Sequence, residues 1–284
     1  MRPPFVVLLA ALLTCVPATA ATIKATYLFN GTLAAAQAGA PALQPVDPLG
    51  NSGFVQDSVF GSSRTVYEFN GYPASPDQQA GLTFSNAGKV VDPQSYSIEL
   101  IFQFFNDGSY RRVVDVSNRT ADSGLYVNWF GALDTYPVNN GLAALTANTY
   151  YHVVFTNDSL GNMTGYVNGA LDLEGQPSVM NIQDPDQMIS FFLDNALDGA
   201  TDEYSSGRVA LIRLYDGVLT PAEAAALAND PFGGLSVPEP RAFVLAATGL
   251  AVLGLLKRRR HHGRGRPVPR SFNAKPYWFD RLRS

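Results

Sequence analysis

The sequence predicts an all-β sandwich of the jelly-roll kind over residues 21 to 235. Three observations carry this. Runs of alternating apolar residues recur at short spacing, turn-forming clusters separate them, and only one stretch inside the region has the marks of a helix.

In "SYSIELIFQFF", Tyr96, Ile98, Leu100, Phe102 and Phe104 alternate onto one face, while Ile101 and Phe105 make the other face partly apolar. A strand apolar on both faces belongs in the middle of a sheet, covered on both sides. Further strands are expected at 111 to 118 ("RRVVDVSN"), 124 to 131 ("GLYVNWFG"), 149 to 157 ("TYYHVVFTN"), 163 to 172 ("MTGYVNGALD"), 188 to 195 ("MISFFLDN") and 207 to 219 ("GRVALIRLYDGVL"). Asn106-Asp107-Gly108 and the run from Asp158 to Asn162 supply turns, and Asn168-Gly169 fits a two-residue hairpin. The helix is read at Thr220-Pro221-Ala222-Glu223, a capping box with proline at the first helical position, followed by Ala224 to Ala228 and a stop near Asn229 to Pro231. The alternative for this alanine-rich piece is a linker.

The ends of the chain differ from its middle. Arg2, an apolar stretch from Phe5 to Val16 and the small-x-small site Ala18-Thr19-Ala20 read as a secretory signal over residues 1 to 20. Cys15, the only cysteine, lies in that segment, so the exported part is expected to have neither disulfides nor thiol chemistry. Near the other end, Ala242 to Leu256 is a run of fifteen uncharged residues whose only hydrogen-bonding side chain is Thr248. As a helix it spans about 22 Å at about 1.5 Å per residue. That is short for a hydrocarbon core of about 30 Å, and the flanking Arg241 and Lys257 extend its reach by snorkelling. The run is therefore read as a membrane helix.

The net charge of −4 conceals a partition. Residues 21 to 240 hold 8 Lys and Arg against 23 Asp and Glu, giving −15, whereas residues 241 to 284 hold 11 against 1, giving +10. Cations directly after an apolar span are retained on the cytoplasmic side, which leaves the acidic bulk outside. Export and a membrane-facing position account for the basic tail, and no nucleic-acid-binding pattern accompanies it, so no nucleic-acid partner is expected.

Pro238-Glu239-Pro240, the apolar helix 242 to 256 and Arg258-Arg259-Arg260 together resemble the PEP-CTERM sorting segment, here residues 236 to 260. The resemblance implies recognition by an exosortase, removal of the helix and delivery of the domain to the cell surface. Two prolines hold the backbone extended and remove two N–H donors, which suits entry into a protease cleft. Members of that group usually end soon after the cations, whereas this chain continues through a basic Pro/Gly-rich tail, residues 261 to 284.

"YHVVFTNDSLGNMTGYVNGALD", "GRVALIRLYDGVLTPAEAAAL", "ATYLFNG" and "TVYEFNG" resemble four framework segments of laminin-G-like, concanavalin A-like jelly rolls, in the expected order. The resemblance implies the fold and a carbohydrate-binding or matrix role, but it transfers no site residues.

Chemistry is sparse. A glycoside hydrolase needs two opposed carboxylates. Glu99 is the only acid in its strand, and Asp202 and Glu203 are neighbours that read as solvated loop acids, so no enzyme is expected; a hydrolase of this fold is the alternative. His152 is the only histidine between residues 21 and 235 and is read as framework. Loop acids at Asp107, Asp158, Asp184, Asp186, Asp194, Asp198, Asp202 and Asp216 admit calcium as a cofactor, although surface solubility accounts for them equally. Laminin-G-like domains often bind calcium, but Asn70 stands where an aspartate is common. For polysaccharide the best cluster is Trp129 with Tyr126 and Asn128, near Tyr136. Strand alternation, however, would place Trp129 with Leu125 and Val127 in a packed face. The expectation is an exported, non-catalytic surface protein, with a purely structural single-pass anchored protein as a further alternative.

Overall fold

The computed structural model describes residues 21–72, 75–197 and 203–233. The expected signal peptide, sorting segment, membrane helix and basic tail lie outside these residues, as do Asp198 and Asp202. Among the described residues no helix is long and apolar enough to cross a membrane.

The described chain forms β1 (Thr22–Tyr27), β2 (Gln44–Val46), β3 (Gly53–Val59), β4 (Ser62–Phe69), β5 (Gly81–Ser85), β6 (Tyr96–Phe104), β7 (Arg111–Asp115) and β8 (Gly124–Val127). It continues with β9 (Leu133–Tyr136), β10 (Asn139–Asn140), β11 (Tyr151–Asn157), β12 (Met163–Val167), β13 (Ala170–Gly175), β14 (Met188–Phe191), β15 (Gly207–Asp216) and α1 (Pro221–Asn229). Two antiparallel sheets result. The larger has the order β13-β12-β11-β6-β15-β4-β3, with β1 also paired to β15, and the smaller has the order β10-β9-β8-β7-β14-β5-β2. The long β15 serves two partners in succession: Gly207 to Val209 pair with β4, and Ile212 to Asp216 pair with β1.

All nine residues of β6 are buried, as its two apolar faces predict. Ile98, Leu100, Phe102 and Phe104 face the core between the sheets, where they join Leu125, Val127 and Leu133 of the smaller sheet. Phe69 stacks on Phe192 at 4.3 Å between ring centroids, and Phe102 packs 5.5 Å from the same ring. Aromatic side chains from both sheets thus meet at one point. On the outer face of β6, Ile101 joins Leu211, Val66 and Val59 in a second cluster.

The Asn168-Gly169 pair turns β12 into β13 with φ of 49° and 81°, the left-handed geometry a two-residue hairpin requires. Helix α1 starts as its sequence predicts. Thr220 Oγ1 accepts from the Glu223 amide at 3.3 Å, and the Glu223 carboxylate accepts from the Thr220 amide at 2.7 Å. Its Ala224 and Leu227 pack on Val154, Tyr166 and Tyr215, so it covers the outer face of the larger sheet and is no linker.

Several strands are shorter than their sequences predict: 111 to 118 ends at Asp115, 188 to 195 at Phe191 and 207 to 219 at Asp216. The run 124 to 131 stays extended only to Val127, because Asn128 folds the chain back on itself. Its Oδ1 accepts from the amides of Phe130 and Ala132, each at 3.0 Å, and its own amide donates to Ala132 O at 2.8 Å. The strand alternation that would have packed Trp129 in the core therefore ends two residues before it.

Phe102 is the test of this core. Replacing Phe102 with alanine should lower unfolding free energy by about 3 to 5 kcal/mol, the range for deleting a buried phenylalanine. Urea denaturation of the two forms checks it, and a loss under about 1 kcal/mol would mean the site collapses without a cavity.

Candidate functional site

The outer face of the smaller sheet carries an organised polar and aromatic surface. Leu125 and Val127 of β8 point into the core, so Tyr126 between them points away. In register across three strands, Arg112 lies opposite Tyr126, and Tyr126 opposite Asp134. The Tyr110, Tyr126 and Tyr136 rings meet edge to face with centroids 5.9 to 6.3 Å apart, the geometry favoured by aromatic quadrupoles.

Arg112 anchors this face. Its guanidinium is wholly buried and donates to Asp115 Oδ2 at 2.7 Å, Ala121 O at 3.0 Å and Asp122 O at 3.1 Å, and it also contacts the Tyr126 hydroxyl. Asp194 Oδ1 lies 3.5 Å from its Nε. Such a charge is tolerated in the interior because its terminal nitrogens are all answered, while its Nε, without a hydrogen-bond partner among the described residues, stays beside that carboxylate.

Glu203 joins the same group. Its backbone carbonyl accepts from the Arg112 amide at 3.0 Å, and its carboxyl stands beside the negative Asp194. Burial first, then the negative Asp194 and Asp122, push its carboxyl from 4.5 up to about 8. Burial likewise raises Asp194. Glu203 is half-buried, and Asp194 is fully buried rather than available in a loop. Burial also raises Asp134, against the effect of the Asn128 amide that donates to it at 3.2 Å.

The sugar-contact residues expected from the sequence divide here. Tyr126 and Asn128 are buried: the first holds Arg112, and the second builds the turn and ties it to Asp134. Trp129 is 63% exposed and Phe130 75%, with ring centroids 5.0 Å apart on the turn that Asn128 fixes. Only Trp129 of the three is free to meet a ligand, and Phe130 is the partner that sequence reading missed.

On the opposite sheet, His152 is buried as expected of a framework residue, and its Nε2 lies 2.9 Å from Glu99 Oε1. Arg213 and Tyr215 donate to Glu99 Oε2 at 2.7 and 2.6 Å. Among the described residues no group of three or more His, Cys, Asp or Glu is placed to hold a metal ion. Asn70 is engaged within the protein, its Oδ1 accepting from Ser206 at 3.2 Å.

Residues 76–225 match the family described as the concanavalin A-like lectin/glucanases superfamily. Among solved structures, domain 4 of AbnA, a GH43 extracellular arabinanase from Geobacillus stearothermophilus in complex with arabinotriose, is similar at a TM-score of 0.56. The identity is 16%, over 74% of this chain and 99% of that one. The botulinum neurotoxin serotype C1 binding domain is similar at a TM-score of 0.52 and 13% identity, over 73% of this chain and 52% of that one, so the likeness spans about half of the toxin domain. Both likenesses are of fold. No curated protein matches the chain.

The Glu203 carboxyl gives a signed pH dependence. The folded state keeps this proton longer than the unfolded chain, so the associated stability is fully present below pH about 4.5 and is lost as pH rises toward about 8. Glu203→Gln, which cannot ionise, should show a smaller fall in urea midpoint across that window. An unchanged slope would mean that Glu203 is solvated.

Proposed function

Since the chain belongs to the concanavalin A-like lectin/glucanases superfamily, we propose that it is an exported, non-catalytic surface protein that binds polysaccharide through the exposed Trp129–Phe130 pair. That pair is the observation that carries the reading. Two large aromatic rings held out in water by a hydrogen-bonded turn lose apolar burial in the free protein and regain it against the flat face of a sugar. The rings are pre-placed, so little ordering entropy opposes binding. The arabinotriose complex of the similar arabinanase domain is in keeping with this use of the fold.

A hydrolytic role has less support. The Glu203 carboxyl lies near enough to Asp194 to feel its negative charge, whereas a glycosidase needs its two carboxyls about 5 Å or more apart with a sugar between them. Asp194 is also buried and turned to Arg112.

Delivery follows the chain ends. The segment 1 to 20 directs export, the apolar run 242 to 256 holds the protein in the membrane, and an exosortase acts at Pro238-Glu239-Pro240, with Arg258-Arg259-Arg260 retained inside. The product is a cell-surface or extracellular domain.

Two measurements test the proposal. Trp129→Ala should weaken binding to the host's extracellular polysaccharide by about tenfold or more, the scale of a lost aromatic anchor, and leave the urea midpoint unchanged because the ring packs on no core. Equal binding by both forms would remove Trp129 from the site. Intact mass of the protein from the host surface should end near Glu239, whereas full length to Ser284 found only in membranes would reduce the segment to a plain anchor.

A further inference from the structure

On the outer face of the larger sheet, where the chain leaves α1, lies an open cleft of about 440 Å3 lined among others by Phe60, Arg64, His152, Asn168, Asn229 and Phe232. None of its described lining residues is acidic, although this part of the chain carries a large acidic excess. Most cations of the domain are answered: Lys24, Arg112, Arg208 and Arg213 sit against carboxylates, and Arg111 and Arg119 donate to carbonyls. Arg64 differs. It has no carboxylate within ion-pair distance among the described residues, and its guanidinium lies 3.4 Å above the Phe232 ring.

Two nitrogen atoms in this cleft are buried without a partner among the described residues, Arg64 Nε and His152 Nδ1. His152 is 2% exposed, and its ring is fixed from behind by Glu99 on Nε2, which in turn is held by Arg213 and Tyr215. The Asn168 side chain clamps its backbone, accepting from the His152 amide at 3.1 Å. The Arg64 guanidinium, a cation with no carboxylate to answer it among the described residues, is the group an oxyanion entering the cleft would pair with. In the same cleft stands Phe60, half exposed at the tip of the β3–β4 hairpin with φ of 50°, a left-handed position where Asn or Gly is usual. A bulky ring kept there at a steric cost has a contact to make.

We propose that this cleft binds the carboxylate of a uronic-acid sugar, with Arg64 holding the anion and Phe60 lying against the ring. That the carboxylate is presented by a polysaccharide rests on the reading above, while the site itself is separate from Trp129 and on the other sheet.

The test is calorimetric titration of the full-length protein with short oligomers of galacturonate, glucuronate and mannuronate, each alongside its methyl ester. At least one free acid should bind saturably, its ester about tenfold or more weaker, as expected for loss of a charge-assisted pair. Arg64→Gln should weaken the acid by a similar factor and Trp129→Ala should not. Acid and ester binding alike, no binding of any of the three acids, or undiminished binding by a folded Arg64→Gln protein would overturn the proposal. The acid–ester comparison on the unaltered protein decides it even if the variant fails to fold. Loss of acid binding in Trp129→Ala with Arg64→Gln unaffected would sink this inference and leave the Trp129 reading standing. Free acetate matching the oligomers would show an adventitious ion only and overturn the sugar assignment.

Discussion

Strand β6 is buried on both faces along its whole length, yet it carries a carboxylate, Glu99, into an interior where no water can solvate it. A lone carboxylate there would cost several kcal/mol or take up a proton. Both neighbouring strands answer it. Arg213 lies directly opposite Glu99 on β15, with Tyr215 two residues further along, and His152 reaches it diagonally from β11. A one-residue slip of either neighbour would turn these donors to the other face and strand the charge, so the cluster fixes the register of the three central strands. Arg213 also donates to Pro231 O at 3.4 Å, which fastens the segment after α1 over the same sheet. The charge in β6 thus determines how the sheet pairs and where the chain leaves it.

The smaller sheet is organised by the converse arrangement, a buried cation among acids. Arg112 collects Asp115, Asp122 and Asp194, and this group supports the tyrosine face from which the Asn128 turn extends. Asp115 and Asp194 are buried against Arg112, while Trp129 and Phe130 stand exposed on the turn. The two sheets therefore offer different outer faces: exposed rings beside the arginine-centred group on one, and an acid-free cleft beside the glutamate-centred group on the other.

How much of this could be read in the sequence depended on whether the determining partners were local. The alternation of β6, the Asn168-Gly169 hairpin and the Thr220 to Glu223 capping box are short-range patterns, and each appears where its residues place it. Strands β9 and β10, of four and two residues, are too short to carry a period. Trp129 was misplaced because a run of extended-favouring residues hid a turn. The signal lay in Asn128 and Gly131, whose side-chain acceptor and φ of 82° close the loop. Glu203 gave no local signal at all, since its surroundings come from Asp194, Asp122 and Arg112 on other segments. Arg111 and Arg112 are adjacent yet both buried, where a β-bulge after Arg112 breaks the alternation that would have sent one to solvent.

The claim on which the functional account depends is that Trp129 meets the glycan. The chain has two tryptophans, Trp129 and Trp278, so Trp278→Phe leaves Trp129 as the sole fluorophore of its kind. Titrating that protein with polysaccharide from the host surface should shift tryptophan emission to the blue in a saturable way, as an exposed indole passes from water to a sugar face. Saturable binding by calorimetry with emission unchanged would contradict the account, because the glycan would then be held somewhere Trp129 does not reach.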